Sequence, residues 1–128
     1  MTLNDRGGDA PVLECRSVAR RFSGIVALNG IDMCIERGEI FGLVGPNGCG
    51  KTTLTNAITG FYPPQRGRIL LNGRDITGLA PHYVATLGVA RTFQNLALFN
   101  GMSVLDNILL GRHIHMKPSV GRTALYWW

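Results

Sequence analysis

Gly45-Pro46-Asn47-Gly48-Cys49-Gly50-Lys51-Thr52-Thr53 is the stretch on which the reading of this chain turns. It fits G-x-x-x-x-G-K-[ST], the pattern of a phosphate-binding loop. On its left, Ile40-Phe41-Gly42-Leu43-Val44 is a short apolar run of strand type. On its right, Leu54-Thr55-Asn56-Ala57-Ile58-Thr59 reads as a helix that ends at Gly60. Strand, glycine-rich loop and helix in that order separate a working phosphate loop from a glycine-rich turn with a surface lysine.

The spacing follows from the chemistry. A triphosphate needs many donors in a small concave space, and glycines let the backbone curl close without a Cβ in the way. The amides of the loop and of the helix start then point at phosphate oxygens. Gly45, Pro46, Asn47, Gly48, Cys49, Gly50, Lys51, Thr52 and Thr53 are therefore the expected phosphate-contacting set. Lys51 is a mobile point charge with the reach for β- and γ-phosphates. Thr52 offers a hydroxyl to Mg²⁺, which takes a few protein oxygens together with phosphates and waters. Thr53 adds a hydroxyl near the α-phosphate.

The remaining composition narrows the class. At 128 residues the chain is long enough for one domain with a core, and 45% hydrophobic residues is ordinary for a globular protein. The net charge of +5 comes from basic residues scattered singly or in pairs, Arg20-Arg21 being the densest. No basic run is interleaved with aromatics, so solvated surface charge is favoured over a nucleic-acid stripe. Three cysteines, Cys15, Cys34 and Cys49, lack metal-ligand spacing, and the odd count fits reduced thiols in a cytosol. Cys49 in the loop reads as a small tolerated residue ahead of an oxidation-sensitive thiol. His82, His113 and His115 have no carboxylate or cysteine at ligand spacing. The polar start is no signal peptide, and no apolar stretch approaches membrane-spanning length. Any membrane connection is expected to run through a partner.

Along the chain, residues 1–10 read as a disordered tail and 11–128 as one domain. Val12 to Val18 reads as a first strand, and Arg20-Arg21-Phe22-Ser23-Gly24 as a turn. Ile25 to Leu28 and Ile31 to Ile35 read as further strands joined by a hairpin turn at Asn29-Gly30. Pro63 to Gly67 breaks the chain. Arg68 to Leu71 is a strand that Asn72-Gly73 turns back toward Arg74-Asp75-Ile76. Pro81 to Leu87 reads as a short helix, and Val89 to Phe93 as a strand leading into Gln94-Asn95. Ser103 is the expected N-cap of a helix running to about Gly111, with Asp106 at its third position. The end, Tyr126-Trp127-Trp128, is unusually apolar, which suggests a helix that packs on something further.

In sequence order, these pieces resemble the nucleotide-binding subunit of ABC transporters, over about residues 12–128. GPNGCGKTT matches its phosphate loop, with Cys49 where the family usually has Ala or Ser. The segments 59–64 and 67–78 follow in family order, and Val-Ala-Arg-Thr-Phe-Gln-Asn (89–95) matches its Q-loop with Gln94 as the glutamine. The Thr92-Phe93-Gln94-Asn95 run with Leu98-Phe99, then Met102-Ser103-Val104-Leu105-Asp106-Asn107, resembles the ATPase of branched-chain amino-acid (LIV-type) importers.

The resemblance implies a fold, a function and partners. The fold is α/β, a P-loop NTPase of the ABC type, present as an N-terminal half with an antiparallel β subdomain and part of the parallel core sheet. The function is ATP binding and hydrolysis driving import, with ATP and Mg²⁺ as ligands. The partners are integral-membrane permeases and a second ATP-binding subunit, with no nucleic acid. The location is the cytoplasm, peripheral on the inner face of a bacterial membrane. Phe22 falls where the family stacks an aromatic on adenine, though a core aromatic beside a turn is the alternative reading. Gln94 falls where the family reaches Mg²⁺ and the attacking water. Lys51 and Gln94 are thus the implied catalytic residues, and Thr52 and Gln94 the implied metal contacts. Asn95 to Asp106 corresponds to the permease-facing surface, although Leu96, Leu98, Phe99 and Met102 read equally as core.

The family pattern continues with an LSGGQ-type signature, an apolar strand ending in Asp-Glu and a switch histidine, none of which is in this sequence. Phosphoryl transfer needs metal ligation, water positioning and charge stabilisation together. The expectation is therefore a nucleotide-binding half-site, the N-terminal half of a longer ATPase, that is not hydrolytically competent alone. Two alternatives stand beside it: a non-catalytic nucleotide-binding remnant, and a soluble ABC-type protein acting on nucleic acid.

Overall fold

Ser23 and Gly24 both lie at positive φ, 41° and 91°, the backbone that a two-residue hairpin of type I′ requires. They join β1 (Leu13–Phe22) to β2 (Ile25–Ile35), with Phe22 opposite Ile25. The strand therefore runs through Arg20-Arg21-Phe22, which the sequence reading placed in a turn. The expected hairpin turn at Asn29-Gly30 lies instead inside β2, where only Gly30 has positive φ (64°). One such residue makes a bulge and two make a turn. The pairs Val18↔Ile31 and Arg20↔Leu28 leave one extra residue on β2 at that point.

The computed structural model describes residues 10–92 and 98–112. They divide into two units between Arg91 and Thr92. In the first, four antiparallel strands are ordered β2-β1-β3-β4, with β3 at Arg66–Leu71 and β4 at Arg74–Asp75. Asn72 and Gly73, at φ 48° and 75°, repeat the two-residue turn. The short β4 is extended by a side chain: Thr77 Oγ1 accepts from the Ile69 amide at 2.8 Å, and the Asp75 carboxylate accepts from the Thr77 amide at 2.8 Å.

Ser17 sets a kink that both ladders of β1 share. Its φ is 50°, and the register shifts there against β2 and against β3. Its amide, turned out of the ladder, donates to Asp32 Oδ1 at 2.7 Å. Gly67 crosses it on β3, where a Cβ would collide with the carbonyls of Arg16 and Ser17.

The buried core lies between this sheet and two helices, α1 (Lys51–Ile58) and α2 (Pro81–Thr86). Cys15, Val18, Leu28, Ile69 and Leu71 come from the strands, Leu54 and Ala57 from α1, Val84 from α2, and Ile76 from the turn after β4. Leu54 and Ala57 are three apart and so share one face of α1. The single buried polar side chain among the described residues, Thr59, donates to the Thr55 carbonyl at 2.8 Å.

Two expected strands do not form. Ile40–Val44 joins no ladder among the described residues, and Ile40 and Val44 are 100% and 94% exposed. A strand exists through its neighbours' hydrogen bonds, and no described segment pairs with this one. Residues 89–92 are likewise outside any strand, and Phe93 lies outside the described residues.

The second unit holds α3 (Val104–Gly111). The expected capping box is present: Asp106 N donates to Ser103 Oγ at 3.2 Å, and Ser103 N donates back to Asp106 Oδ2 at 3.3 Å. Asn107 ties the preceding loop to the helix, donating to the carbonyls of Phe99 and Ser103 and accepting from the Phe99 amide.

Gly67→Ala adds a Cβ at φ 86° against backbone, and should lower unfolding stability by about 3 kcal/mol in denaturant titrations. Gly73→Ala, at φ 75° but facing open space, should cost only about 1 kcal/mol. Burial raises the Cys15 thiol pKa from its ordinary 9.0 to about 11, with the Asp32 and Glu14 carboxylates adding to it. The folded state keeps a proton that the unfolded state has lost. This contribution is therefore complete below pH 9 and disappears as pH rises to about 11. The denaturation midpoint should fall more steeply across that window in the wild type than in Cys15→Ala.

Candidate functional site

The loop at 45–50 is closed by its own lysine. Lys51 Nζ donates to the carbonyls of Gly45 at 2.6 Å and Pro46 at 2.7 Å, and lies 3.6 Å from Cys49 Sγ. An ammonium has three donors and no acceptor, and all three are directed at the loop. The Cys49 amide donates to the Pro46 carbonyl at 3.4 Å, completing a tight ring.

Gly50 joins that ring to the sheet. It is the N-cap of α1 at φ 99°, and a Cβ there would strike the Ala27 carbonyl of β2. The Gly50 carbonyl accepts the first helical bond, from Leu54 N at 2.9 Å. No side chain caps α1 and no acidic residue lies in its first turn. The positive end of its dipole therefore faces the loop without a protein anion to offset it, which suits a phosphate.

The other expected contacts fall around this loop. Gly45 to Cys49 and Thr52 are exposed, and Thr53 is half-buried. Among the described residues no cluster of His, Cys, Asp or Glu could hold a metal ion. A Mg²⁺ would be held here only as a shared ion, to which the Thr52 hydroxyl could offer one oxygen beside phosphates and waters. Gln94, the expected second metal contact, lies outside the described residues, as do His113 and His115. His82 is exposed beside Tyr83, with ring centroids 4.1 Å apart.

Phe22 ends β1 at the hairpin whose second strand carries Ala27, the residue that Gly50 meets. Ala27 lies two positions along the strand from Ile25, the partner of Phe22, a span of about 7 Å. The ring is half-buried and stands edge-to-face on Tyr62, with centroids 5.6 Å apart and planes at 80°. The guanidinium of Arg20 lies over Phe22 at 4.8 Å from its centroid. The sequence reading passed over Arg20 and Tyr62. The signal for the first is its i, i+2 spacing to Phe22 on a strand, which puts both on one face.

It also passed over Asn56. The Asn56 side chain accepts from Arg91, and its carbonyl accepts from the Tyr62 amide at 3.2 Å. The helix that begins at Lys51 is thus tied to Arg91, at the end of the first unit.

In the second unit, Leu98, Phe99 and Met102 are exposed, as are Val104, Leu105 and Ile108 of α3, which buries no residue. Leu96 lies outside the described residues. No helix among the described residues is long and apolar enough to cross a membrane.

The sequence model of the ABC transporter family matches residues 28–125. The high-affinity branched-chain amino acid transport ATP-binding protein BraF of Pseudomonas aeruginosa is 44% identical over 109 residues, covering 85% of this chain and 43% of that protein. The sulfate/thiosulfate import ATP-binding protein CysA of Pseudomonas putida is also 44% identical, over 88% of this chain and 32% of its own length. Among solved structures, the ADP conformation of MJ1267, an ATP-binding cassette of an ABC transporter, superposes with a TM-score of 0.76 at 31% identity. That match covers 93% of this chain and 46% of the solved one. The chain thus spans less than half the length of these relatives.

Proposed function

This chain belongs to the ABC transporter family, and from that premise we propose that it supplies the phosphate-gripping half of the ATP site of an importer for branched-chain or related amino acids. The observation that carries the proposal is the posture of Lys51, with its three donors on two neutral carbonyls and a thiol. A phosphate oxygen is a charged acceptor and makes a stronger bond with an ammonium than a carbonyl does. Nucleotide therefore draws Lys51 outward, and the loop amides, with Gly45, Gly48 and Gly50 leaving room, close on the phosphates.

Each neighbouring residue has a role in this reading. Asn47 and Cys49 contribute loop amides, and Pro46 holds the bend. Thr52 places its hydroxyl for Mg²⁺, and Thr53 lies one residue further into the helix. Phe22 stacks on the base. Gln94 completes the metal and water contacts in this reading. Mg²⁺, when bound, neutralises charge on the β- and γ-phosphates. Hydrolysis requires an acid for the water and a signature motif, so the chain's own residues supply binding and positioning rather than a full turnover.

The exposed apolar loop and helix of the second unit support a protein partner such as a membrane permease, with a second ATP-binding subunit completing the site. The same surface, which carries no cluster of basic residues, weighs against a nucleic-acid ligand. Such an assembly would sit at the inner face of a cell membrane. The BraF likeness supports amino-acid cargo. The equal identity to CysA is expected if this segment serves the energy step and cargo is chosen by other subunits.

Lys51→Ala tests the site. Retention on immobilised ATP should fall at least tenfold while the far-ultraviolet circular dichroism spectrum is unchanged. Equal retention by the variant would remove the phosphate loop from the account.

A further inference from the structure

Arg20 is held by three groups from two parts of the chain. Its guanidinium lies 4.8 Å from the Phe22 centroid and 5.9 Å from the Tyr62 centroid, both within the range at which a cation is drawn to a ring. Its Nη1 donates to the Pro63 carbonyl at 2.5 Å. Its Nε is buried and has no hydrogen-bond partner. A long, flexible side chain normally keeps every donor in water or paired. Here one donor is forgone, so the rings and the carbonyl fix where the guanidinium sits.

The surroundings lock the same place twice more. Arg21 N donates to Gln65 Oε1 at 2.9 Å, and Gln65 N donates to the Ala19 carbonyl at 2.9 Å. Tyr62 is itself tied to α1 through the Asn56 carbonyl. The end of β1, the turn after α1 and the helix that carries Lys51 are therefore one connected piece around Arg20.

We propose that Arg20 is a positioning residue for nucleobase recognition: clasped between Phe22 and Tyr62 and anchored on Pro63, it fixes the Phe22 ring at a set distance from the phosphate loop. The proposal rests on the reading of Phe22 as the base-stacking residue. Arg20 covers one face of the ring, so the base is left the opposite face. Tyr62, at 80° to Phe22, stops the ring from rotating about its side-chain bonds. Without the clasp Phe22 still exists, but it must be ordered when the nucleotide binds, and that ordering cost reduces the base's share of affinity.

The test separates base from phosphate. Dissociation constants of ATP and of inorganic tripolyphosphate are measured by calorimetry on the full chain. The readout is the preference for ATP over tripolyphosphate. In Phe22→Ala the preference should fall about tenfold, the size of one lost base–aromatic stack. In Arg20→Met it should fall at least threefold, and Arg20→Lys should not restore it, because an ammonium lacks the planar face. Tripolyphosphate binding should stay within twofold of wild type throughout. If Phe22→Ala lowers the preference and Arg20→Met does not, the positioning role is wrong and the stacking reading stands. If Phe22→Ala leaves the preference intact, the stacking reading falls and the role of Arg20 with it. If Arg20→Met weakens ATP and tripolyphosphate equally, Arg20 only holds the fold, and the proposal is overturned. Should Arg20→Met not fold, Tyr62→Leu opens the same clasp from the other side and must meet the same threefold threshold.

Discussion

The close approach of Gly50 to the Ala27 carbonyl is the constraint on which the site depends. It fixes the start of α1 against β2, and so fixes where the helix dipole and Lys51 point. A Cβ in that place would overlap a backbone oxygen. The glycine at this position in the motif thus serves two ends: it shapes the loop and seats the loop on the sheet. The sheet in turn is held in shape by the Ser17 kink, which Asp32 and Gly67 accommodate from the two flanking strands.

The lysine holds its own loop together, donating to the carbonyls of Gly45 and Pro46. The loop is thus pre-closed by bonds weaker than those an ammonium makes with a charged acceptor. The loop's other flank lacks comparable support. Ile40 and Val44 are almost fully exposed, and apolar side chains in that state gain nothing from burial. Among the described residues the loop is tethered through Gly50 and α1.

The features legible in the sequence were those set by local spacing. The phosphate loop, the Ser103–Asp106 capping box and the Asn72-Gly73 turn each lie within a few residues and need particular residue types, so the chain states them directly. Asn29-Gly30 misled for the same reason. The dipeptide favours a turn, but the residues around it were already paired across β1, so it became a bulge. Ile40–Val44 has the composition of a strand without a neighbour to make it one. The Arg20–Phe22–Tyr62 clasp was invisible because its members are joined only when the turn after α1 returns to the end of β1. The exposure of Leu98, Phe99 and Met102 was equally out of reach, since apolar residues in a loop read the same whether covered or not.

The most direct test is an amide-resolved nuclear magnetic resonance titration of the chain with ATP and Mg²⁺. The account predicts saturable shifts concentrated at Gly48 to Thr53, together with a change at the Lys51 ammonium as it leaves the carbonyls of Gly45 and Pro46. A saturable response elsewhere with these signals unmoved, or no response at all, would contradict it.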